Sequence, residues 1–358
     1  MKNSPLSLLA AVCISLLLAF PGKTQNRVGD LVADDGHRFA IVTGSNFNQA
    51  FIVDLKTNSL KLTLPSRGAQ PIGASITPDG HLGLVANFLT GSVTFIDLTA
   101  NPPAVIETLP TTPLMAHPES IAITPNGKFG IVGDGGGETN VVVIDLQQRT
   151  IVSSVSGLPG NQAAIVSRDG KLVLVLSAQT NQVSVLNINS KGILTDTGQR
   201  VTLSGVLFGP RSMAITPNGH IVLVTDDSGV VTILSIDGAT VSNAGAITNF
   251  DRLTSGVAIT QDGRKAYISS VNTTLAVLSI DPRDNVTDTG LRIFVPDGTP
   301  TTFFGVPGLA ITPDGQRLFI AGHTSGRVSL LDTATDTLLP ETISLGDLLA
   351  GIAMPGRP

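Results

Sequence analysis

Tryptophan is absent from the 358 residues, and Tyr267 is the single tyrosine. Stacking platforms for sugars or bases would have to rest on phenylalanine, which weakens both readings. Cys13 is the one cysteine and lies inside an apolar N-terminal run. Beyond that run there is no thiol for a disulfide, a nucleophile or a metal site. Charge is scarce: 14% of residues are charged, the formal net charge is -5, and no run of Lys or Arg occurs. Phosphate binding needs a clustered basic surface, so nucleic acid is excluded as a partner. The low charge and 42% hydrophobic content describe an ordered chain poor in long, charge-laced helices. There is no Ser-His-Asp order and no His-Glu-Xaa-Xaa-His stretch. Gly135-Gly136-Gly137 is not followed by a helical pattern, so it lacks the setting of a phosphate cradle.

What is present begins with Lys2 and an apolar run of 15 residues from Leu6 to Phe20, broken by Pro21 and Gly22. That is short for a membrane span and suits a secretory signal cleaved between Ala19 and Gln25. The alternative is an uncleaved anchor. The expectation is a leader over residues 1–25, one domain over 26–358, no stable membrane span after cleavage, and a secreted, periplasmic or cell-surface location.

The rest of the chain repeats one unit. Leu309-Ala-Ile-Thr-Pro-Asp-Gly315 recurs in variants ending at Gly36, Gly80, Gly127, Gly170, Gly219 and Gly263, spaced 43 to 52 residues apart. Each is an apolar run ending in a turn: Pro sets φ, Asp or Asn bridges, and Gly takes the positive φ. Flanking β-branched residues make it a hairpin. Each unit then reads as four strands, the inner ones nearly continuous in apolar residues and the outermost alternating. Seven such units account for nearly the whole chain. The predicted fold is all-β: a seven-bladed β-propeller of four-stranded antiparallel blades. Residues 350–354 repeat the first-strand pattern with no unit behind them, so they are expected to complete the blade of residues 37–65. Asp30 to Ala33 offers a second candidate for that slot.

In this fold, segments before the inner strands share a face with the loops after the second strands. His37, His81 and His220 follow turn glycines and fall on the opposite face as solvated residues. His117 and His323 fall on the channel face. The residue expected at the channel mouth is Ile72, Glu119, Gln162, Arg211, Ser255, Pro307 or Ala350, depending on the unit. Glu119 and Arg211 form either an ion pair or part of a ligand site. The second-strand loops carry Ser45, Asn87, Asp134, Ser177, Asp226, Ser269 and His323. Asp134 and Asp226-Asp227 are the nearest approach to a carboxylate cluster, yet a hard cation wants six or more converging oxygens. No cofactor is therefore expected, with calcium the one considered. The loop from Pro296 to Val306, with Phe303-Phe304, is either a lid or ordinary packing over the channel. Two Asp-Thr-Gly triplets, at Asp196 and Asp288, mimic a catalytic dyad. They occupy the same place in different units, so they cannot share a proton and read as turns.

The unit Ile-Ala-Ile-Thr-Pro-Asp/Asn-Gly, followed by Val85-Ala86-Asn87 and by Val93-Thr-Phe-Ile-Asp97, resembles the YVTN-type β-propeller repeat. The resemblance covers residues 29–358 and implies a seven-bladed propeller of secreted or surface-layer type. The Asn of that core is lost at Val42-Thr43-Gly44 and Ile131-Val132-Gly133. Gly192-Ile193-Leu194-Thr195 also looks like an outer hairpin of lactonase-type propellers, whose channel residues would here be Glu119, His117, Arg211 and His323. The leading expectation is a monomeric, non-enzymatic scaffold that binds a protein or cell-surface partner through its channel face. A lactonase-type hydrolase of a small lactone or ester is the alternative.

Overall fold

The repeated turn is closed by its own side chains. In a computed structural model, residues 37–136, 140–158, 161–205 (161 and 162 by backbone only), 209–248, 250, 254–270, 272–299 and 308–356 are described. At the second unit the Gly80 N–H donates to the Thr77 carbonyl at 2.8 Å. The Thr77 hydroxyl donates to Asp79 Oδ1 at 2.5 Å and accepts the Leu82 N–H at 3.0 Å. Asp79 Oδ1 also accepts the His81 N–H at 3.1 Å. Asn126 and Asn218 supply the same acceptor from an uncharged amide. Gly80 takes φ 72°, where a side chain would be strained. This explains why the stretch recurs: Thr or Ser, Asp or Asn, and Gly each hold one bond or angle of the hairpin.

The 28 described strands form seven four-stranded antiparallel sheets, and the described residues contain no helix. No helix among them is long and apolar enough to cross a membrane. The inner strands are Pro71–Ile76, Pro118–Ile123, Asn161–Val166, Pro210–Ile215, Thr254–Ile259 and Leu309–Ile311 in blades 2 to 7. Blade 1 takes its inner strand from the far end of the chain. Leu349–Ala353 pairs antiparallel with Phe39–Gly44, Ile352 facing Val42 and Ala353 facing Ile41. The closure is the one the repeat pattern calls for, shifted by one residue from 350–354. The leader, Cys13, the Asp30 to Ala33 alternative and the Gly36 turn lie outside the described residues.

Burial explains why closure needs no disulfide. Seven hydrophobic clusters each straddle a junction between adjacent blades. The junction of blades 7 and 1 packs Phe319, Val328 and Leu330 against Val42, Phe51 and Ile352. Closing the ring buries this last junction like the other six and gives blade 1 its fourth strand.

One irregularity recurs and positions the site. In blade 3, Pro118 is paired with Asp134 and Ser120 with Gly133, so the register skips Glu119. Arg211 is skipped in the same way between Pro210 and Ser212, and Gln162 between Asn161 and Ala163. Blades 2 and 6 shift register at the same place. Each is a β-bulge, which bends a strand and re-aims the extra side chain. The next position is small wherever it is described: Gly73, Ser120, Ala163, Ser212, Gly256, Gly308 and Gly351. A Cβ on Gly73 would stand 2.1 Å from the Glu119 carbonyl, and one on Gly351 2.6 Å from that of Ile72. Neighbouring inner strands meet backbone to backbone there.

The Asp-Thr-Gly triplets lie inside the outer strands Leu194–Thr202 and Val286–Phe294 of blades 4 and 6. Asp196 pairs with Arg200 and Asp288 with Arg292, while Thr197 and Thr289 each donate at 2.6 Å to a carbonyl of the neighbouring strand. They are bulges within the rim strands rather than the expected turns, and the two carboxylates lie in different blades, so they form no dyad.

Candidate functional site at the channel mouth

Inner strands start, and second strands end, on one face. Every bulge therefore sits at the mouth of the channel. The bulged residue and the residue 16 positions later meet there, within the same blade. In blade 5 they are Arg211 and Asp227: Arg211 Nε donates to Asp227 Oδ1 at 2.9 Å, and a second guanidinium nitrogen donates to the other oxygen. The pair is bidentate and largely buried, with side-chain exposures of 12% and 6%. This corrects the expected pairing of Arg211 with Glu119. Glu119 lies in blade 3 and is 1% exposed. A Cβ on Gly135, its own residue 16 positions later, would fall 1.4 Å from Glu119 Oε2. Gly135 thus leaves the space that the Glu119 carboxylate fills. In blade 2 the pair is apolar: Ile72 and Phe88 pack together with Ala350 of the closing strand.

His117 extends this apolar ledge. Its ring centroid is 5.0 Å from that of Phe88. Its Nδ1 is buried without a hydrogen-bond partner, and a Cβ on Gly136 would come within 2.2 Å of it. His323, in blade 7, is half-buried, and its Nδ1 lies 2.6 Å from the Leu349 carbonyl. A carbonyl only accepts, so Nδ1 carries the proton and the neutral ring keeps its lone pair on Nε2. The closing strand thereby fixes the tautomer of a histidine at the mouth.

The strand-end residues are Gly44, Asn87, Asp134, Ser177, Asp226, Ser270 and Gly322. Ser45 and His323 lie one residue beyond this ring and Ser269 one before it, which corrects the expected register. Asn87 donates to Ser92 and Thr94 at 3.2 and 2.9 Å. Asp134 accepts the Gly136 N–H at 2.7 Å. Asp226 Oδ1 accepts the Ser228 and Val230 N–H groups and the Ser228 hydroxyl. Burial, reinforced by the neighbouring Asp227 charge, holds the Asp226 carboxyl above the usual range despite these bonds. Asp134 and Asp226 belong to blades 3 and 5 and are each engaged by their own loops. Among the described residues no three His, Cys, Asp or Glu side chains gather as a metal-binding group. The side chain of Gln162, Gly137, Pro307 and Phe303-Phe304 lie outside the described residues.

Charge on this face is lopsided. Its described carboxylates are Glu119, Asp134, Asp226, Asp227, Asp297 and Asp347, against Arg67, Arg211 and Arg327. Arg211 pairs with Asp227, and Arg327 lies 3.7 Å from Asp297. Directly below the mouth is a cavity of about 240 Å³ lined by 73–74, 120–122, 163–166, 212–213 and 215, all on the inner strands of blades 2 to 5. Its walls are small or aliphatic except for Ser120 and Ser212, and Ser120 Oγ is buried with no hydrogen-bond partner. Ser120 carries no signal of its own in the sequence, whereas Phe88 and Asp227 stand at fixed distances from Ile72 and Arg211. That constant 16-residue offset, readable also at 119/135 and 307/323, is the signal that would have paired Phe88 with Ile72 and Asp227 with Arg211.

The fold and mouth define a seven-bladed propeller with a polar rim over a small apolar chamber. Over part of the chain, residues 144–243, the sequence matches the model of the lactonase family, described as a 7-bladed β-propeller. That segment runs from the end of the third strand of blade 3, through blade 4, into the outer strand of blade 5, and contains Arg211, Asp226 and Asp227. No curated protein matches the chain. Among solved structures, a functionally unknown protein from Desulfotomaculum acetoxidans is 18% identical, with TM-score 0.81, over 90% of this chain and 100% of that one. The periplasmic gluconolactonase PpgL of Pseudomonas aeruginosa is 16% identical, with TM-score 0.70, over 89% and 99%. A candidate 6-phosphogluconolactonase from Bacteroides uniformis is 18% identical, with TM-score 0.73, over 88% and 99%. At these identities the structures speak for the fold. The family match overturns the expectation of a non-enzymatic scaffold, and with it the expectation that the chain is not an enzyme.

Proposed function

We propose that the chain is a lactonase-type hydrolase that opens a small lactone with water at the channel mouth. The observation that carries this reading is the family match over residues 144–243, because that segment supplies the fixed cation of the mouth. The chemistry asks for a base, a water and a site for the oxyanion. His323 has the tautomer of a base, with Nε2 able to take a proton from water. The water oxygen bonds to the lactone carbonyl carbon, and the carbonyl oxygen becomes the oxyanion. As the carbonyl re-forms, the ring C–O bond breaks and the released alkoxide takes the proton. The product is a hydroxy acid. Arg211, held in one plane by Asp227, offers a fixed positive charge for the oxyanion. The apolar leader from Leu6 to Phe20 supports an extracytoplasmic setting, which fractionation of the tagged full-length chain checks.

The test is acid release in a pH-stat from a panel of γ- and δ-lactones. Turnover above the spontaneous rate is expected. His323→Gln is expected to lower kcat by about 10²- to 10⁴-fold, the usual worth of a general base. If the folded protein opens no lactone in the panel, the proposal fails.

A further inference from the structure

The rim and the chamber make opposite demands on a ligand, and together they narrow its chemistry. Six described carboxylates against three guanidinium groups give the mouth a negative field, and two of those cations already face carboxylates. A phosphorylated lactone would bring further negative charge to a face with little positive charge to receive it. Below the rim the walls turn aliphatic, with Ala74, Ala122, Ile165 and Ile215 half-buried along the cavity. A chamber of about 240 Å³ with such walls has room for a short alkyl chain. Ser120 Oγ stands at the top of this wall, one residue below Glu119, buried and without a partner. It is placed where a ring would join a chain.

We infer that the substrate is an uncharged lactone bearing a short aliphatic chain, with the ring at the mouth, the chain in the chamber and Ser120 at their junction. This rests on the lactonase reading above. The chain contributes apolar burial, worth about fourfold in affinity per methylene until the chamber is full. The Ser120 hydroxyl contributes one hydrogen bond, worth about two- to tenfold.

The experiment uses the full chain and two ligand series: γ-lactones with side chains of increasing length, and 2-alkylcyclopentanones of the same lengths, which have no ester to open. δ-Gluconolactone and its 6-phosphate complete the set. Expected results are affinity that climbs with chain length and then levels off, and the phosphorylated lactone as the poorest ligand. Ala122→Leu should move the levelling point to shorter chains. Ala122→Val should move it less and guards against a misfolded Leu variant. Ser120→Ala should weaken every member of the series alike. A flat chain-length profile, a levelling point unmoved by both Ala122 variants, or preference for the phosphorylated lactone overturns the inference. The two series separate it from the reading beneath it. Length-dependent cyclopentanone binding without lactone turnover removes the lactonase and keeps the chamber. Lactone turnover without length dependence does the reverse.

Discussion

Removing the Asp227 carboxylate should cost far more than removing an ordinary surface acid. Its partner Arg211 is 12% exposed and Asp227 itself 6%, so neither charge is well solvated. Both carboxylate oxygens accept from the guanidinium, which makes the geometry bidentate. Asp227→Ala leaves a desolvated guanidinium without this counter-charge, and the expected loss of stability is about 3–5 kcal/mol. The pair Lys171–Asp169, with exposures of 79% and 54%, is the internal contrast, and removing it should cost at most about 1 kcal/mol. Replacing both members of the buried pair, Arg211→Met with Asp227→Leu, exchanges it for apolar packing and should recover most of the loss. The assay is equilibrium unfolding in denaturant, with the slope checked for constancy so that the midpoint shift reads as stability. The double-mutant cycle then reports the coupling directly. If Asp227→Ala costs less than about 1 kcal/mol and the two single changes simply add, the pair behaves as a solvated bridge. Arg211 would then not be a fixed charge, and its proposed role at the oxyanion would lose its basis.

Three further outcomes follow from the same geometry. Burial raises the folded-state pKa of Asp226, so its favourable contribution is complete below the unfolded value of about 3.9 and is lost as pH rises through the folded one. Asp226→Asn, which keeps an acceptor oxygen, should therefore be more stable than wild type at pH 7, and thermal unfolding at pH 7 and pH 4 should show the gap closing in acid. Asp169 has the opposite sign: the Ser167 hydroxyl bond lowers its pKa most, burial opposes this, and the Lys171 N–H and charge lower it further. Its contribution is present above about pH 3.9 and is lost as pH falls through the depressed value. Asp169→Asn, the solution already used at Asn126 and Asn218, should flatten the acid limb of the stability profile, and an unchanged limb would refute it. Gly73→Ala sets a Cβ 2.1 Å from the Glu119 carbonyl, a backbone atom with no rotamer to change. It should cost roughly 1–3 kcal/mol in denaturant unfolding, while Ser212→Ala at the same place in blade 5 costs clearly less.

The fold was legible because its signals are local and repeated. A Thr-Pro-Asp-Gly turn needs only its own side chains, so any one copy is readable and seven copies fix the count. The closing strand was legible because Ala350-Gly351-Ile352-Ala353 repeats an inner-strand pattern with nothing behind it. The site was legible only in part. Glu119, Arg211 and His323 were placed on the correct face by strand direction. Their surroundings were not, because a β-bulge is a register event between two strands, and no residue type announces it. With Glu119 skipped by the ladder register, its carboxylate faces Gly135 of its own blade, and Arg211 lies two blades away. The tautomer of His323 depends on Leu349, a carbonyl that reaches it only once the ring has closed.

The bulge also explains why differences between units collect at that position. A residue within the inner ladder is constrained by its partner on the second strand and by the inner strands of the adjacent blades, and these units repeat it. The bulged residue escapes the ladder but is largely buried, and in the described blades it packs against the residue 16 positions on. Ile72 with Phe88 is an apolar solution, Arg211 with Asp227 a charged one, and Glu119 with Gly135 a steric one. Identity at the mouth is thus written in pairs within blades. Changing one member alone leaves a void, a clash or an uncompensated charge, whereas exchanging a whole pair between blades keeps burial intact. Transplanting Arg211 and Asp227 into blade 3, as Glu119→Arg with Gly135→Asp, should therefore fold, whereas Glu119→Arg alone should be strongly destabilised. Equal stability of the two variants would show that the mouth is not organised by these pairs.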